Sequence, residues 1–179
     1  MSEKIKSAVF ISPIFVSEEK EFLFAKVPSE LSKLHLRRGR ITVLISVGQC
    51  SFDAQMEPDG KLGHWFIIPK GIVEKESLTP LKKVSFTMTA LGEQPEPSLP
   101  NDFKNLLAGN TSALKTWGAT TTLAKIDWVH WMESAKQEKT KRERAANAID
   151  MLGKGKKRVC CFDPSGFYSK ALSSPKEKS

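Results

Sequence analysis

The sequence of 179 residues lacks the features that mark several specialised classes of protein. No hydrophobic run approaches the roughly 20 residues that a membrane-spanning helix needs. Three cysteines, an odd number, do not make the paired framework of a small secreted domain. The cysteines and histidines also show no Cys-x-x-Cys or His-x-x-x-His spacing: they are Cys50, Cys160, Cys161, His35, His64 and His130. We therefore expect a globular protein of a reducing compartment, cytoplasmic and without a metal or cofactor.

The first 16 residues also lack the pattern of a secretory signal peptide. Ser12-Pro13 interrupts their apolar run, and no small-residue cleavage site precedes the acidic segment that begins at Ser17. The segment is interpreted as a β-strand.

Short β-type segments fill the chain up to residue 92. Segments 22–27, 40–47, 50–56, 62–68 and 83–91 are rich in β-branched and aromatic residues or alternate apolar with polar ones. Glu57-Pro-Asp-Gly-Lys61 is typical of a hairpin turn. With the N-terminal strand this makes about six strands, the pattern of a small β-barrel domain over residues 1–92.

Three prolines within residues 93–100 end this pattern and predict a linker. Beyond it, helix-capping residues and helical apolar spacing predict about four helices over residues 101–158. The last of them ends at Gly153, and residues 159–179 are expected to form a partly disordered tail. The predicted fold class is α+β, a small barrel followed by a helical segment.

Residues 121–158 combine an aromatic stretch with a basic stretch. Apolar spacing places Trp128, Trp131 and Met132 on one helix face. A Thr140-x-x-Glu143 capping box predicts that a separate helix begins there, although a single kinked helix over 122–152 is the alternative.

Nearly all of the net charge of +8 lies in residues 136–158. This segment holds nine Lys and Arg against three acidic residues, a net charge of +6, which suits an acidic partner. A solvated helix face is the alternative interpretation. The candidate partner- or anion-binding residues are Lys136, Lys139, Lys141, Arg142, Arg144, Lys154, Lys156, Lys157 and Arg158.

Three tryptophans form a second candidate set: Trp117, Trp128 and Trp131. They could stack on bases or anchor a protein partner. At helical spacing, packing that joins the helical half to the barrel is favoured.

Two local motifs have simpler interpretations. Gly153-Lys-Gly-Lys-Lys157 is not a phosphate-binding loop, because it follows a helix instead of preceding one. Cys160-Cys161 could close a strained vicinal disulfide, but a reduced and partly buried pair is favoured.

The second half resembles the bacterial YdeI/OmpD-associated, or bacteriocin-protection, family. The matching residues include Leu99-Pro-Asn-Asp-Phe103, Trp117, Trp128, Trp131, Ala135-Lys136, Thr140 and Gly155-Lys156-Lys157. In the family's run "Thr-Arg-x-Arg-Arg-Ile", this chain has Lys141 for the first Arg, Glu143 for the next, Arg144 as expected and Ala145 for Ile. The first half resembles the small β-barrel domain of unknown function that often precedes this family.

The resemblance implies association with an outer-membrane porin and tolerance of bacteriocins and cationic antimicrobial peptides, with no established enzyme activity. A chain of charge +8 repels cationic peptides, so an indirect route through an acidic protein partner, including one related to the envelope, fits better.

Three functional hypotheses remain. The first is a non-enzymatic adaptor that binds an acidic protein through the basic segment. The second is a nucleic-acid binder that uses the same residues. The third is an enzyme with a Cys/His or carboxylate site in a groove between barrel and helices.

Overall fold

A computed structural model describes residues 7–179 as two compact units. Of the described residues, the β-rich unit comprises 7–93 together with Ser165–Ser179, and the helical unit comprises Gln94–Pro164. The predicted start of the first strand, residues 1–6, lies outside the described residues.

Within the described residues, the β-rich unit contains seven strands and two short helices. The strands are β1 Ser7–Pro13, β2 Phe15–Val16, β3 Leu23–Val27, β4 Ile41–Val47, β5 Cys50–Pro58, β6 His64–Ile67 and β7 Lys83–Ala90. The helices are α1 Ser29–His35 and α2 Lys70–Lys75.

The strands form one antiparallel sheet in the order β1-β7-β4-β5-β6-β3-β2. β1 and β2 lie at opposite ends of this order, yet Ile14 alone joins them. The sheet therefore curls into a half-barrel, and the backbone amide of Lys26 in β3 donates to Ser12 Oγ of β1 at 3.1 Å. The prediction of six strands is wrong by one, because the chain leaves the edge of β7 at Ile14 and continues beside β3.

Inward-facing side chains fill the half-barrel with an apolar core. Val84, Phe86 and Met88 of β7 are buried, which confirms the alternation predicted for this strand. Phe66 and Phe86 meet edge to face, with ring centroids 5.5 Å apart. The hairpin predicted at Glu57–Lys61 is also present, where Asp59 Oδ1 accepts from the amides of Lys61 and Gly63.

The C-terminal tail packs along the edge of the sheet. Ser17 and Glu177 form an isolated antiparallel bridge, and the amide of Lys178 donates to the carbonyl of Val16 at 2.8 Å. The sequence predicts partial disorder for this segment, whose composition is polar and charged. Backbone pairing with β2 gives it an ordered position that composition does not reveal.

The helical unit contains α3 Asn101–Ala108, α4 Thr111–Gly118, α5 Thr122–Glu133 and α6 Glu138–Gly153. The side chain of Asn110 caps α4 by accepting from the amide of Ala113, and Thr121 caps α5 by accepting from that of Ala124. These four helices and the two short ones make six in the described residues, and the predicted α+β class is confirmed.

The aromatic and basic stretches are two helices, not one kinked helix. Residues 134–137 separate α5 from α6. The capping box predicted at Thr140 is wrong, because α6 begins two residues earlier at Glu138, and Gln137 at its N-cap makes no side-chain cap bond. Thr140 and Glu143 thus lie inside the helix.

One apolar core holds the helical unit together. α6 contributes the small side chains Ala145 and Ala148, which let it lie close to α3 and α4. The remaining buried members are Phe103, Leu107, Ala113, Trp117, Trp128, Val129, Met132 and Leu152.

Candidate functional site

Helix α6 has an apolar face and a charged face, as its sequence spacing requires. Ala145, Ala148 and Leu152 are buried at intervals of three and four residues. The opposite face carries exposed side chains such as Lys139, Arg142 and Glu143. The nine basic residues predicted as a site therefore lie on this helix and in the segments that flank it.

Three of the nine form ion pairs along α6. Lys141 Nζ lies 3.2 Å from Glu138 Oε1, Lys154 Nζ 2.9 Å from Asp150 Oδ2, and Lys139 Nζ 4.0 Å from Glu143 Oε1. These pairs are largely exposed to solvent, so each contributes only a few tenths of a kcal/mol, about 0.3–0.5 kcal/mol, to helix stability. Their carboxylates, Glu138, Glu143 and Asp150, are the three acidic residues already counted in the net charge of +6.

The side chain of Arg144, a residue of α6, contacts the end of α5 and the turn that follows it. Its Nη1 donates to the carbonyl of Trp131 at 2.6 Å and to Ser134 Oγ at 3.0 Å. The guanidinium also lies over the Trp131 ring, 5.3 Å from the centroid. Because these contacts already hold its Nη1 and the face of its guanidinium, Arg144 is less available to a partner than an exposed arginine.

The other five residues are exposed, and within residues 7–179 none of them forms an ion pair. They are Lys136, Arg142, Lys156, Lys157 and Arg158, and we call them the unpaired cations. Three of them, Lys156, Lys157 and Arg158, are consecutive and begin three residues after Gly153, the last residue of α6.

The segment 154–158, called the basic loop here, is fixed by backbone hydrogen bonds. The amide of Lys156 donates to the carbonyl of Met151 and that of Gly155 to Leu152, the two bonds of a Schellman motif. Gly155 has the left-handed φ of +86° that this motif requires. The loop therefore leaves the helix in a defined direction.

A tryptophan of the core holds the far end of the basic loop. The Nε1 of Trp128, a residue with no exposed surface, donates to the backbone carbonyl of Lys157 at 3.0 Å. This bond satisfies the buried indole and leaves the Lys157 side chain in solvent.

The three predicted tryptophans lie within the helical unit. Trp117 is buried against Phe103, with ring centroids 5.1 Å apart, and Trp131 is half-buried, edge to face with Trp128. Trp117 and Trp128 thus expose almost no ring face on which a base could stack.

An acidic pocket was not anticipated from the sequence. A cavity of about 350 Å³ is lined by Asp102, Glu133, Glu138 and Lys141, together with Pro100, Asn101, Met132 and Ala145. Its residues come from the ends of three helices, and their spacing along the chain gives no signal that they meet.

The candidate histidines and cysteines do not form a common centre. His64 is buried, its Nε2 is 3.0 Å from the carbonyl of Gly39, and burial lowers its pKa. His130 is buried beside Phe162. In residues 7–179, no group of three or more His, Cys, Asp or Glu side chains is arranged to hold a metal ion.

Cys160 and Cys161 are both exposed, so the expectation of a partly buried pair is wrong. They lie in a turn at the surface, with free thiols whose sulfur atoms are 3.1 Å apart.

No helix among the described residues is long and apolar enough to cross a membrane. No curated protein matches the chain significantly. Residues 96–155 match the model of the family described as Bacteriocin-protection, YdeI or OmpD-Associated. The resemblance predicted from the sequence is therefore confirmed over most of the helical unit, from the proline-rich segment to the start of the basic loop.

Proposed function

We propose that this protein is a non-enzymatic adaptor that binds an acidic surface of another protein through the unpaired cations. The observation that carries the proposal is that five of the nine predicted basic residues are exposed and have no carboxylate partner in the described residues: Lys136, Arg142, Lys156, Lys157 and Arg158. Unpaired charges at a surface give an interface its specificity and its fast association.

The basic loop gives these charges a prearranged backbone. Binding normally costs about 0.5–1.5 kcal/mol for each side chain that is immobilised, and ordering a flexible loop adds to this. Here the Schellman motif and the bond from Trp128 Nε1 to the Lys157 carbonyl already hold the loop. A partner therefore has to order only the side chains of the loop, because the backbone is already held.

An acidic protein is favoured over nucleic acid as the partner. The rings of Trp117 and Trp128 are buried, whereas single-stranded nucleic acid is usually bound by stacking on exposed aromatic residues. Binding of duplex phosphate by the cations alone remains an outcome of the test.

A cytoplasmic location and an indirect role in bacteriocin tolerance belong to the same proposal. The family description supports the second, and exposed free thiols suit a reducing compartment. The charge of +8 argues against direct capture of a cationic peptide, so the adaptor acts through its acidic partner.

The test compares binding of fluorescent polyglutamate, duplex DNA and single-stranded RNA over a salt titration. The variant carries Arg142→Glu, Lys156→Glu, Lys157→Glu and Arg158→Glu; Arg144 is left in place because it holds the α5–α6 turn. A matched control reverses four exposed lysines of the β-rich unit: Lys33, Lys70, Lys82 and Lys83.

We expect the parent and the control variant to bind polyglutamate more tightly than either nucleic acid. The variant with Arg142, Lys156, Lys157 and Arg158 reversed should lose this binding. Equal loss in both variants would reduce the effect to net charge and contradict the proposal. Tighter binding of DNA or RNA than of polyglutamate would replace it with a nucleic-acid function, with affinity falling steeply as salt rises.

A further inference from the structure

The adjacent thiols of Cys160 and Cys161 face the same side of the chain. Side chains of neighbouring residues in extended backbone point in opposite directions. Here Cys161 has a φ of +59°, a conformation that costs a non-glycine residue about 1–2 kcal/mol, and the two Sγ atoms lie 3.1 Å apart.

The turn that carries the two thiols is anchored on both sides. Val159 packs against the core of the helical unit. The Phe162 ring lies edge to face with His130, with centroids 5.2 Å apart. Between these contacts both cysteines are exposed, with their Sγ atoms 3.1 Å apart.

Direct oxidation to a disulfide is disfavoured by covalent geometry. Adjacent Cα atoms are about 3.8 Å apart, shorter than the roughly 4.4–6.8 Å that disulfides normally span. Inserting one atom between the sulfurs relieves this restriction. The pair is thus better suited to chelate a thiophilic centre than to bond to itself.

The distance between the two sulfurs depends on the angle between their bonds to the bound atom, so it indicates which centre the pair fits. With bonds of about 2.3 Å, two sulfurs lie about 4.6 Å apart on a linear centre, about 3.8 Å apart on a tetrahedral one and about 3.3 Å apart when the bonds are near a right angle. The observed 3.1 Å is closest to the last case, which is the pyramidal geometry of trivalent arsenic.

We propose that Cys160 and Cys161 form a dithiol site that chelates trivalent arsenic. With an organic arsenical of the type R–As=O, two As–S bonds form and the two S–H bonds break. The arsenic oxygen leaves with both protons as water, and arsenic stays trivalent, so the reaction needs no oxidant or reductant.

The protonation state of the pair suits this reaction. A hydrogen bond with Cys160 and the charge on that residue raise the pKa of the Cys161 thiol, and Lys156 offsets part of the effect. The raised pKa keeps the Cys161 thiol protonated near neutral pH, which slows its oxidation because the thiolate is the reactive form. The condensation consumes thiols and releases water.

The test titrates the reduced full-length chain with phenylarsine oxide and follows free thiols and intact mass. We expect one arsenic per chain and the loss of two of the three free thiols. Cys160→Ser and Cys161→Ser should each weaken binding by on the order of 100-fold, because each removes one arm of the chelate. Cys50→Ser is the matched control and should bind like the parent.

Reversal of binding gives a second readout. Excess dithiothreitol should release the arsenic, whereas an equal thiol concentration of mercaptoethanol should not. Sodium arsenite, run in parallel, tells whether the inorganic form is bound as well as the organic one. The proposal would be overturned if either single Ser variant bound phenylarsine oxide as tightly as the parent. It would also be overturned if mercaptoethanol released arsenic from the parent as fast as from the Ser variants. Circular dichroism checks that the Ser variants are folded.

Discussion

At the scale of single residues, Arg144 and Arg142 show how two neighbouring arginines take different roles. Arg144 donates to the Trp131 carbonyl and to Ser134 Oγ and stacks on the Trp131 ring. Arg142, two positions earlier on the same helix, is exposed. Sequence alone makes them equivalent members of a basic stretch.

Replacing these arginines by lysine should separate the roles. Arg144→Lys loses the planar group that bridges two acceptors and a ring, so we expect the free energy of unfolding to fall by about 1–3 kcal/mol. Arg142→Lys should change it by less than about 0.5 kcal/mol. Urea unfolding of both variants provides the measurement, and equal values would contradict the structural role of Arg144.

His64 is a buried residue whose contribution to the stability of the fold depends on pH. Burial lowers its pKa below the ordinary value of 6.5, so below that pH the unfolded chain binds a proton that the folded chain does not. The stability that the neutral ring contributes is complete above pH 6.5 and is lost as the pH falls through the folded-state pKa.

We therefore expect His64→Gln to flatten the pH dependence of stability below about pH 6.5, since glutamine does not titrate. Urea unfolding at a series of pH values, as a difference between parent and variant, isolates the contribution of His64. A difference that does not change with pH in this window would contradict the assignment.

At the scale of elements, the end of α6 determines how the basic loop leaves the helix. Gly155 adopts a φ of +86°, and a Cβ built on it meets nothing within 4 Å. The cost of a side chain there is thus conformational and not steric. Gly118, the last residue of α4, also has open space but no positive φ.

Alanine at these two glycines should have opposite effects. Gly155→Ala should lower the free energy of unfolding by about 1–2 kcal/mol, because alanine is strained in the left-handed region. Gly118→Ala should be neutral or raise it by up to about 1 kcal/mol, since alanine restricts the unfolded chain. Thermal unfolding of the pair gives the signs, and a stabilising Gly155→Ala would exclude the Schellman geometry.

Local patterns predicted most of the elements, and long-range pairing accounts for the rest. Alternation in β7 and the apolar spacing of α5 and α6 are local, so they could be recognised from the chain. The break at Ile14 and the pairing of the tail with β2 join residues far apart in sequence. Four of the nine predicted basic residues also have partners within the chain, and the composition of the segment does not show which four. Lys139, Lys141 and Lys154 pair with carboxylates of α6, and Arg144 contacts Trp131 of α5 and Ser134 of the turn.

At the scale of the whole molecule, charge is distributed unevenly along a chain of two units. Residues 136–158 carry a net charge of +6 out of +8, and all of them lie in the helical unit. The family model matches residues 96–155, so three of the unpaired cations, Lys156, Lys157 and Arg158, lie just beyond the matched segment. The proposed partner surface therefore combines helix α6, which lies in the matched segment, with residues 156–158 just after the match.

The most direct test of the proposed surface is a map of backbone amide chemical shifts in the parent protein as polyglutamate is added. We predict that the perturbed amides cluster at residues 154–158 and around Lys136 and Arg142, and that the perturbations disappear with added salt. Perturbations confined to the β-rich unit, or spread evenly over exposed lysines of both units, would contradict it.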